Sequence, residues 1–222
     1  MGTVLVIGAS RGIGLEFARQ YSEAGARVIA TVRDEAGRSR VRALGAQALT
    51  VDVSKPASVS GLAWQLDGEK IDIALYVAGV YTHGDAKAPP TREAFDRTMH
   101  TNVLGAMQAL VQVAPLVEAA AGCFAFITSG MGRIGGVDSS FGWTYRVSKA
   151  ALNMAVAAAQ HDYPGAILVA LCPGWVRTEL GGPNAPLSVQ DSVAAMRATL
   201  AALTPAHQGQ FLQHDGVPYP GW

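Results

Sequence analysis

The chain of 222 residues is half hydrophobic and only 15% charged, with 17 basic and 17 acidic side chains, so no excess charge is available to bind a nucleic acid or an anionic membrane. Its five histidines are scattered without ligand spacing, and its apolar stretches are interrupted well short of a membrane-spanning helix. The sequence therefore predicts no metal site and no membrane partner, and its length suits one domain covering residues 1–222.

Short β-branched segments alternate with longer helical segments along the chain. The predicted strands are TVLVIG, ARVIATV, AQALTVDV, IDIALYVAG, CFAFITS and AILVALCPG, and GQFLQHDG adds an edge strand. The segments between them are predicted helices, among them PASVSGLAWQL and a helix that starts near Ser188 at the capping pattern SVQD. This alternation predicts an α/β fold, a single Rossmann-type doubly wound parallel sheet of about seven strands with helices on both faces.

The two cysteines, Cys123 and Cys172, lie in apolar runs that are predicted to be buried strands. They therefore suggest neither a disulfide nor a metal pair. The N-terminal MGTVLVIG runs directly into a glycine-rich turn, which suits a first strand better than a signal peptide. We expect a cytoplasmic protein.

The segment GASRGIG follows the first strand and precedes an amphipathic helix. Glycine at these points lets a pyrophosphate approach the backbone, and the helix N-terminus offers free N–H groups to phosphate. Because any turn from a strand to a helix favours glycine, an ordinary turn remains an alternative. The predicted cofactor ligands in this loop are Gly8, Ser10, Arg11, Gly12, Ile13 and Gly14.

The second strand ends in ATVRD, where an acid indicates NAD and an arginine indicates NADP. Arg33 occupies this position and Arg11 adds a second guanidinium, so we predict NADP(H) as the cofactor. Two alternatives remain: both arginines are solvated, or Asp34 is the ribose ligand or a helix cap. Asp52, followed by Val53, ends the third strand and either meets the adenine or caps the next helix.

Tyr145 and Lys149 are four residues apart in the predicted helix YRVSKAALN, which places them on one helical face. A phenol is a poor acid–base catalyst at neutral pH, but a neighbouring ammonium favours the phenolate and lowers its pKa. The sequence therefore predicts that Lys149 makes Tyr145 a usable proton carrier. The ammonium also suits the ribose of a bound nicotinamide nucleotide.

These motifs together resemble the short-chain dehydrogenase/reductase family, and within it the C-factor-like, sniffer-type carbonyl reductase branch. The resemblance covers essentially the whole chain. It is carried by GASRGIG, Asn102 in TNVLG, Ser129 in FITSG, YRVSKAALN and PGWVRTELGG, with the last two and GQFLQHDG indicating the branch.

The resemblance implies a catalytic tetrad of Asn102, Ser129, Tyr145 and Lys149. In the reductive direction, Tyr145 would protonate the carbonyl oxygen, Ser129 would hold that oxygen, Lys149 would bind the ribose and tune Tyr145, and Asn102 would position a water. Ser148 is expected to point away from the tyrosine face.

The resemblance further implies that PGWVRT clasps the nicotinamide, although an ordinary Pro-Gly turn explains the dipeptide alone. The expected ligands here are Pro173, Gly174, Val176 and Thr178. The family's NNAG motif is replaced by YVAG, so Ala78 and Gly79 keep the small residues beside the adenine ribose while the asparagines are missing.

Apolar residues near these motifs predict an aromatic-lined pocket for aryl or alkyl ketones and aldehydes. They are Met131, Ile134, Phe141, Trp143 and Trp175, and packing of the loops is the alternative for several of them. The helical stretch VLGAMQALVQVAPLVEAAA and the tyrosine helix are apolar on too many sides for a half-exposed position, which predicts a homodimer.

Three functions fit this pattern. The first is NADPH-dependent reduction of a small carbonyl substrate. The second is oxidation of an alcohol, or an epimerase-like use of the tyrosine. The third is a nucleotide-binding sensor or signalling protein with little turnover.

Overall fold

Seven parallel strands form one sheet in the computed structural model, which describes residues 2–222. The strand order is β3-β2-β1-β4-β5-β6-β7, and the predicted edge strand β7 is present. The strands are β1 (Thr3–Ile7), β2 (Arg27–Val32), β3 (Gln47–Thr50), β4 (Ile73–Tyr76), β5 (Cys123–Ile127), β6 (Ile167–Cys172) and β7 (Phe211–Gln213).

Helices cover both faces of the sheet, which confirms the predicted doubly wound α/β class. Helices α1 (Gly12–Glu23), α2 (Glu35–Ala43) and α8 (Val189–Ala201) contribute to the core on one face. The other core takes residues from α3 (Pro56–Val59), α4 (Leu62–Gln65), α6 (Gly105–Glu118) and α7 (Trp143–Ala159). Helix α5 (Arg92–Met99) continues through a π-helical turn, His100–Leu104, into α6.

The alternation of side chains along β1 shows why the strands are continuously apolar. Val4 and Val6 enter the core beneath α1, whereas Leu5 and Ile7 enter the core beneath α6. Successive side chains of a strand point to opposite faces, so a strand covered on both faces needs apolar residues throughout.

Two segments differ in detail from the sequence-based expectation. PASVSGLAWQL is divided into α3 and α4, because Gly61 stands between them and glycine is a poor helix former. Strand β3 is shorter than AQALTVDV and ends at Thr50, since the chain turns at Asp52. The predicted start of α8 is confirmed, because the Ser188 hydroxyl accepts a hydrogen bond from the Asp191 backbone N–H at 3.0 Å.

All strands run in the same direction, so their carboxyl ends lie at one edge of the sheet. The strand order reverses between β1 and β4, which is where ligands bind in open α/β sheets. The predicted site motifs follow β1, β2, β4, β5 and β6, and they therefore converge at this edge.

Across residues 2–222, no helix combines the length and the apolar character needed to cross a bilayer. The same range contains no group of three or more histidine, cysteine or acidic side chains arranged to hold a metal ion. Both cysteines are buried and free.

Candidate active site

The glycine loop after β1 is shaped by two close backbone approaches. Gly8 has a φ of +95°, and a Cβ atom there would lie 2.7 Å from the Ala78 backbone nitrogen at the end of β4. A Cβ atom on Gly14 would lie 2.2 Å from the Gly8 carbonyl oxygen. Both positions therefore exclude a side chain, and the start of α1 lies directly against the ends of β1 and β4.

The N-terminus of α1 is open to an anion. Its N-cap residue, Arg11, makes no capping hydrogen bond with its side chain, and the first turn holds no acidic residue. The first backbone N–H groups of a helix have no partner within the helix, and the helix dipole favours negative charge at this end. The loop fits the pyrophosphate of a dinucleotide.

The acidic residues after β2 and β3 both accept local hydrogen bonds from the chain that follows them. Asp34 caps α2, because its side chain accepts a hydrogen bond from the Gly37 backbone N–H at 2.7 Å. Asp52 accepts hydrogen bonds from the Ser54 N–H at 3.1 Å and the Ser54 hydroxyl at 2.7 Å, so it caps the turn after β3. Burial alone would raise the pKa of Asp52, but the Ser54 bonds and nearby positive charges together lower it.

Arg33 and Arg11 differ in their surroundings. Arg33 is exposed just beyond β2, and its charge helps to lower the pKa of Asp52. Arg11 forms an ion pair with Glu179, a residue that the sequence analysis did not select. Both side chains of this pair are largely exposed to solvent, so a competing phosphate can displace the carboxylate at little cost.

Asn102 lies in the π-helical turn between α5 and α6. Its Oδ1 accepts a hydrogen bond from the Val80 N–H at 2.8 Å, and its Nδ2 donates to the Val80 carbonyl at 2.9 Å and to the Ser148 hydroxyl at 3.0 Å. The turn widens the helix at this point, as single π turns often do at functional sites. Asn102 thus joins the segment after β4 to helix α7.

Ser148 has a structural role that the sequence analysis missed. It is fully buried, accepts the bond from Asn102 and donates to the Tyr145 carbonyl at 2.8 Å. Its hydroxyl bonds to the helix backbone and to Asn102, and the Tyr145 phenol is not among its hydrogen-bond partners. Only the folded π turn reveals Asn102 as a partner, since no local pattern links residues 46 positions apart.

Lys149 is buried among the ends of β4 and β5. Its ammonium donates to the Ile127 carbonyl at 2.8 Å and lies 5.6 Å from the centroid of the Tyr145 ring. A Cβ atom on Gly79 would lie 3.4 Å from Asn102 Oδ1 and 3.7 Å from Lys149 Nζ, so glycine keeps open the space between them. Burial lowers the pKa of Lys149 from 10.5 to about 8.

The Tyr145 phenol is buried, and this burial raises its pKa well above the ordinary value of 10.0. The Ser129 side chain is close enough to act in the opposite direction, whereas the charges of Cys172 and Tyr81 add to the rise. The sequence predicts that Lys149 lowers this pKa, but in the structure burial has the larger effect. The physical reason is that the ammonium faces the ring and the Ile127 carbonyl.

Ser129 lies two residues beyond β5 and caps a short helical turn, Gly130–Gly132. Its hydroxyl oxygen accepts a hydrogen bond from the Met131 N–H at 3.1 Å. A Cβ atom on Gly132 would lie 2.7 Å from the Lys149 backbone carbon, so this turn packs directly on α7. Ser129, Tyr145 and Lys149 are therefore fixed relative to one another by backbone packing.

The loop after β6 folds back over the glycine loop. Pro173 accepts a hydrogen bond from the Ser192 hydroxyl at 2.7 Å, Gly174 has a φ of +78°, and Val176 pairs with Leu187. A Cβ atom on Gly12 would lie 3.8 Å from Thr178 Cγ2. The structure thus brings the predicted nicotinamide loop and the predicted pyrophosphate loop together.

Of the predicted pocket residues, Phe141 and Met131 lie at the mouth of this region beside Tyr81, whereas the Ile134 N–H bonds to the Trp222 carbonyl. Ile134, Phe141, Trp143 and Trp175 are exposed, and Met131 is half-buried. The Trp175 indole N–H donates to the Gly181 carbonyl at 2.8 Å, which also fits the alternative that it packs its own loop.

Tyr81 is an aromatic residue at this mouth that the sequence analysis missed. Its ring centroid lies 4.9 Å from that of Tyr145 and 6.2 Å from that of Phe141. A Cβ atom on Gly142 would lie 2.7 Å from the Tyr81 hydroxyl oxygen and 2.8 Å from Met131 Cε. Tyr81 therefore covers Tyr145 and contributes to its burial.

Comparisons with known proteins agree with this arrangement. A family model described as short chain dehydrogenase matches residues 2–186. C-signal from Myxococcus xanthus is 35% identical over 153 residues, which are 68% of this chain and 92% of that protein. The 1-hydroxy-2-glutathionyl-2-methyl-3-butene dehydrogenase from Rhodococcus sp. (strain AD45) is 32% identical over 229 residues, covering 98% of each.

Two solved structures are also similar to this chain over its whole length. A short-chain dehydrogenase/reductase from Burkholderia multivorans with bound NADP superposes with a TM-score of 0.88 and 32% identity, over 100% of this chain and 99% of that one. The carbonyl reductase Sniffer of D. melanogaster superposes with a TM-score of 0.90 and 25% identity, over 100% of both chains.

Proposed function

The chain belongs to the short-chain dehydrogenase/reductase family, in the branch of C-signal and Sniffer, and from this premise we propose that it is an NADPH-dependent reductase of ketones or aldehydes. The observation that carries the proposal is the meeting of Ser129, Tyr145 and Lys149 beside the glycine loop. NADP in the Burkholderia structure supports the choice of cofactor. When bound, the nicotinamide supplies the hydride.

The protein's own residues supply the proton. Tyr145 is protonated at neutral pH because burial raises its pKa, and a protonated phenol is the form that donates to a developing alkoxide. Ser129 holds the carbonyl oxygen and stabilises its charge in the transition state.

Lys149 and Asn102 support the proton donor. In this proposal the Lys149 ammonium binds the ribose of the cofactor, and burial, which lowers its pKa to about 8, suits it to exchange a proton near neutral pH. Asn102 lies across Gly79 from Lys149, where it can hold a water between them. A phenol that has lost its proton is thus resupplied through Lys149 and the water at Asn102, and solvent replaces the proton that Lys149 gives up.

We expect turnover with NADPH when the purified protein is mixed with a panel of aryl ketones, alkyl aldehydes and dicarbonyls. The measurement is NADPH and NADH consumption, combined with fluorescence titration of each nucleotide. NADPH-preferred turnover supports the reductase. Tight NADPH binding without turnover on any panel member would instead favour a binding protein, the alternative that the similarity to C-signal supports.

The substrate proposal follows from the aromatic mouth of the site. Tyr81 provides apolar surface beside Tyr145, and Phe141 and Met131 extend this surface next to Tyr81. Such a surface favours aryl and alkyl carbonyl compounds over charged substrates.

The proposal includes a homodimer formed through α6 and α7. Met107, Val111 and Met154 on these helices are 49%, 60% and 68% exposed, which is unusual for large apolar side chains grouped on one face. A cavity of about 180 Å³ lies between the two helices and is lined mainly by apolar residues, among them Leu110 and Ala155. A second copy would cover this surface.

Val111→Glu and Met154→Glu are expected to convert the protein to a monomer, because each would bury a charge in the proposed interface. Sedimentation at micromolar concentration should give twice the 23.1 kDa chain mass for the wild type and 23.1 kDa for the variants. Val137→Glu is the control, since Val137 is 57% exposed and lies outside both helices. A monomeric wild type would overturn the dimer.

The proposal also includes a cytoplasmic location and a single domain. Two free, buried thiols suit a reducing compartment. One sheet that draws strands from Thr3 to Gln213 supports the single domain.

A further inference from the structure

We propose that Arg40, together with Arg33, binds the 2′-phosphate of NADPH and determines the choice of cofactor; this inference rests on the proposed function. Arg40 lies in the last turn of α2, seven residues beyond Arg33. No motif in the sequence marks it. The fold places it at the glycine loop.

Helix α2 passes close to the glycine loop, and this close approach positions Arg40 beside the loop. The helix begins immediately after β2, and a Cβ atom on Gly37 would lie 2.9 Å from the Ser10 hydroxyl oxygen. Arg40 follows one turn later on the same helical face. Its Nε donates to the Ser10 carbonyl at 2.9 Å. The guanidinium is thereby anchored against the glycine loop.

The terminal amino groups of Arg40 remain free to bind a ligand. Among the described residues 2–222, they have no hydrogen-bond acceptor, and neither Arg40 nor Arg33 forms an ion pair. Arg11 is paired with Glu179, and Arg38 bonds to acceptors on its own helix and on β3. Of the four arginines around this corner, Arg33 and Arg40 are therefore the two without a carboxylate partner.

The position of these two guanidinium groups matches the chemistry of the ligand. In dinucleotide-binding sheets the adenosine ribose lies at the end of the second strand, where NADPH carries its extra phosphate. Arginine binds phosphate through parallel, charge-assisted hydrogen bonds. Arg40 already uses Nε to hold the Ser10 carbonyl, so the four N–H donors of its two terminal amino groups are pre-oriented. NADH has no group to meet them.

Arg40→Ala is expected to raise the Kd for NADPH about 10-fold, as for the loss of a charged hydrogen bond, and to change the Kd for NADH less than about twofold. The measurement is fluorescence titration of both nucleotides. Arg42→Ala is the matched control, because it removes the same charge from the last turn of the same helix at an exposed position. Circular dichroism checks that both variants fold.

The outcomes separate this inference from the proposed function. A selective loss of NADPH affinity in Arg40→Ala, with Arg42→Ala close to the wild type, supports a direct phosphate contact. Equal losses in both variants would mean that only overall charge matters, and equal losses for both nucleotides would mean that Arg40 only supports the loop; either result overturns the inference. A wild-type protein that prefers NADH would contradict the proposed NADPH dependence itself.

Discussion

Tyr145→Phe is expected to lower kcat for carbonyl reduction by about 10²–10⁴-fold while NADPH still binds. The substitution removes only the phenolic hydroxyl, which the proposed reaction uses as its proton donor. The ring stays buried against Tyr81, so the loop after β4 keeps its packing. The measurements are steady-state NADPH consumption with the best panel substrate and fluorescence titration of NADPH.

Tyr163→Phe provides the control for this experiment. Tyr163 follows α7, and its hydroxyl makes no hydrogen bond with any of the residues 2–222. It should retain wild-type kcat. If Tyr145→Phe also kept wild-type kcat, another group would have to donate the proton and the proposed mechanism would be wrong. If both variants lost activity together, the cause would be a general disturbance of α7.

The strands and helices could be predicted because a local sequence pattern marks each of them. Continuous apolar runs such as CFAFITS identify strands covered on both faces, and the capping pattern at Ser188 places the start of α8. The division of PASVSGLAWQL was missed, since a glycine within an apolar pattern weakens a helix without specifying whether it breaks.

The site was predictable only where family motifs mark it. Tyr145, Lys149 and the glycine loop have fixed local spacing, and the structure brings them together as expected. Ser148, Tyr81 and Arg40 carry no such spacing, because their partners lie in distant parts of the chain. They became visible only through the π turn, the segment after β4 and the approach of α2 to Ser10.

The pKa values around Tyr145 illustrate the same limit. A spacing of four residues correctly places Lys149 on the tyrosine face, but it does not reveal how deeply both groups are buried. Burial disfavours the charged form of each group, so it raises the pKa of the phenol and lowers that of the ammonium. Electrostatic predictions from spacing fail when desolvation exceeds the pairwise attraction.

Lys149→Met is expected to abolish most of the activity, with a loss of at least about 10²-fold, and yet to stabilise the folded protein. The pKa of Lys149 is lowered from 10.5 to about 8, which corresponds to about 3 kcal/mol of destabilisation below pH 8. Methionine removes this penalty. The lost bond to the Ile127 carbonyl costs about 1 kcal/mol, so a net gain of about 2 kcal/mol is expected at pH 7.

The difference in free energy of unfolding between Lys149→Met and the wild type should depend on pH in a definite direction. Between pH 8 and 10.5 the unfolded chain keeps the lysine proton that the folded protein has released, so the wild-type free energy of unfolding gains about 1.4 kcal/mol per pH unit from this group. The advantage of Lys149→Met over the wild type should therefore shrink as the pH rises above 8. Subtracting the two denaturation curves cancels the opposing contributions of buried groups such as Cys123 and Tyr76.

Urea denaturation at pH 7, 8, 9 and 10 measures this difference, with the exposed Lys87→Met as the control for loss of a surface charge. A Lys149→Met protein less stable than the wild type at pH 7 would mean that the Ile127 bond outweighs the cost of burying the ammonium. A stable, inactive variant would instead show that Lys149 lowers the free energy of unfolding and is nevertheless needed for activity. Only a function explains such a residue, because no packing requirement calls for a charge among Tyr145, Gly79 and the end of β5.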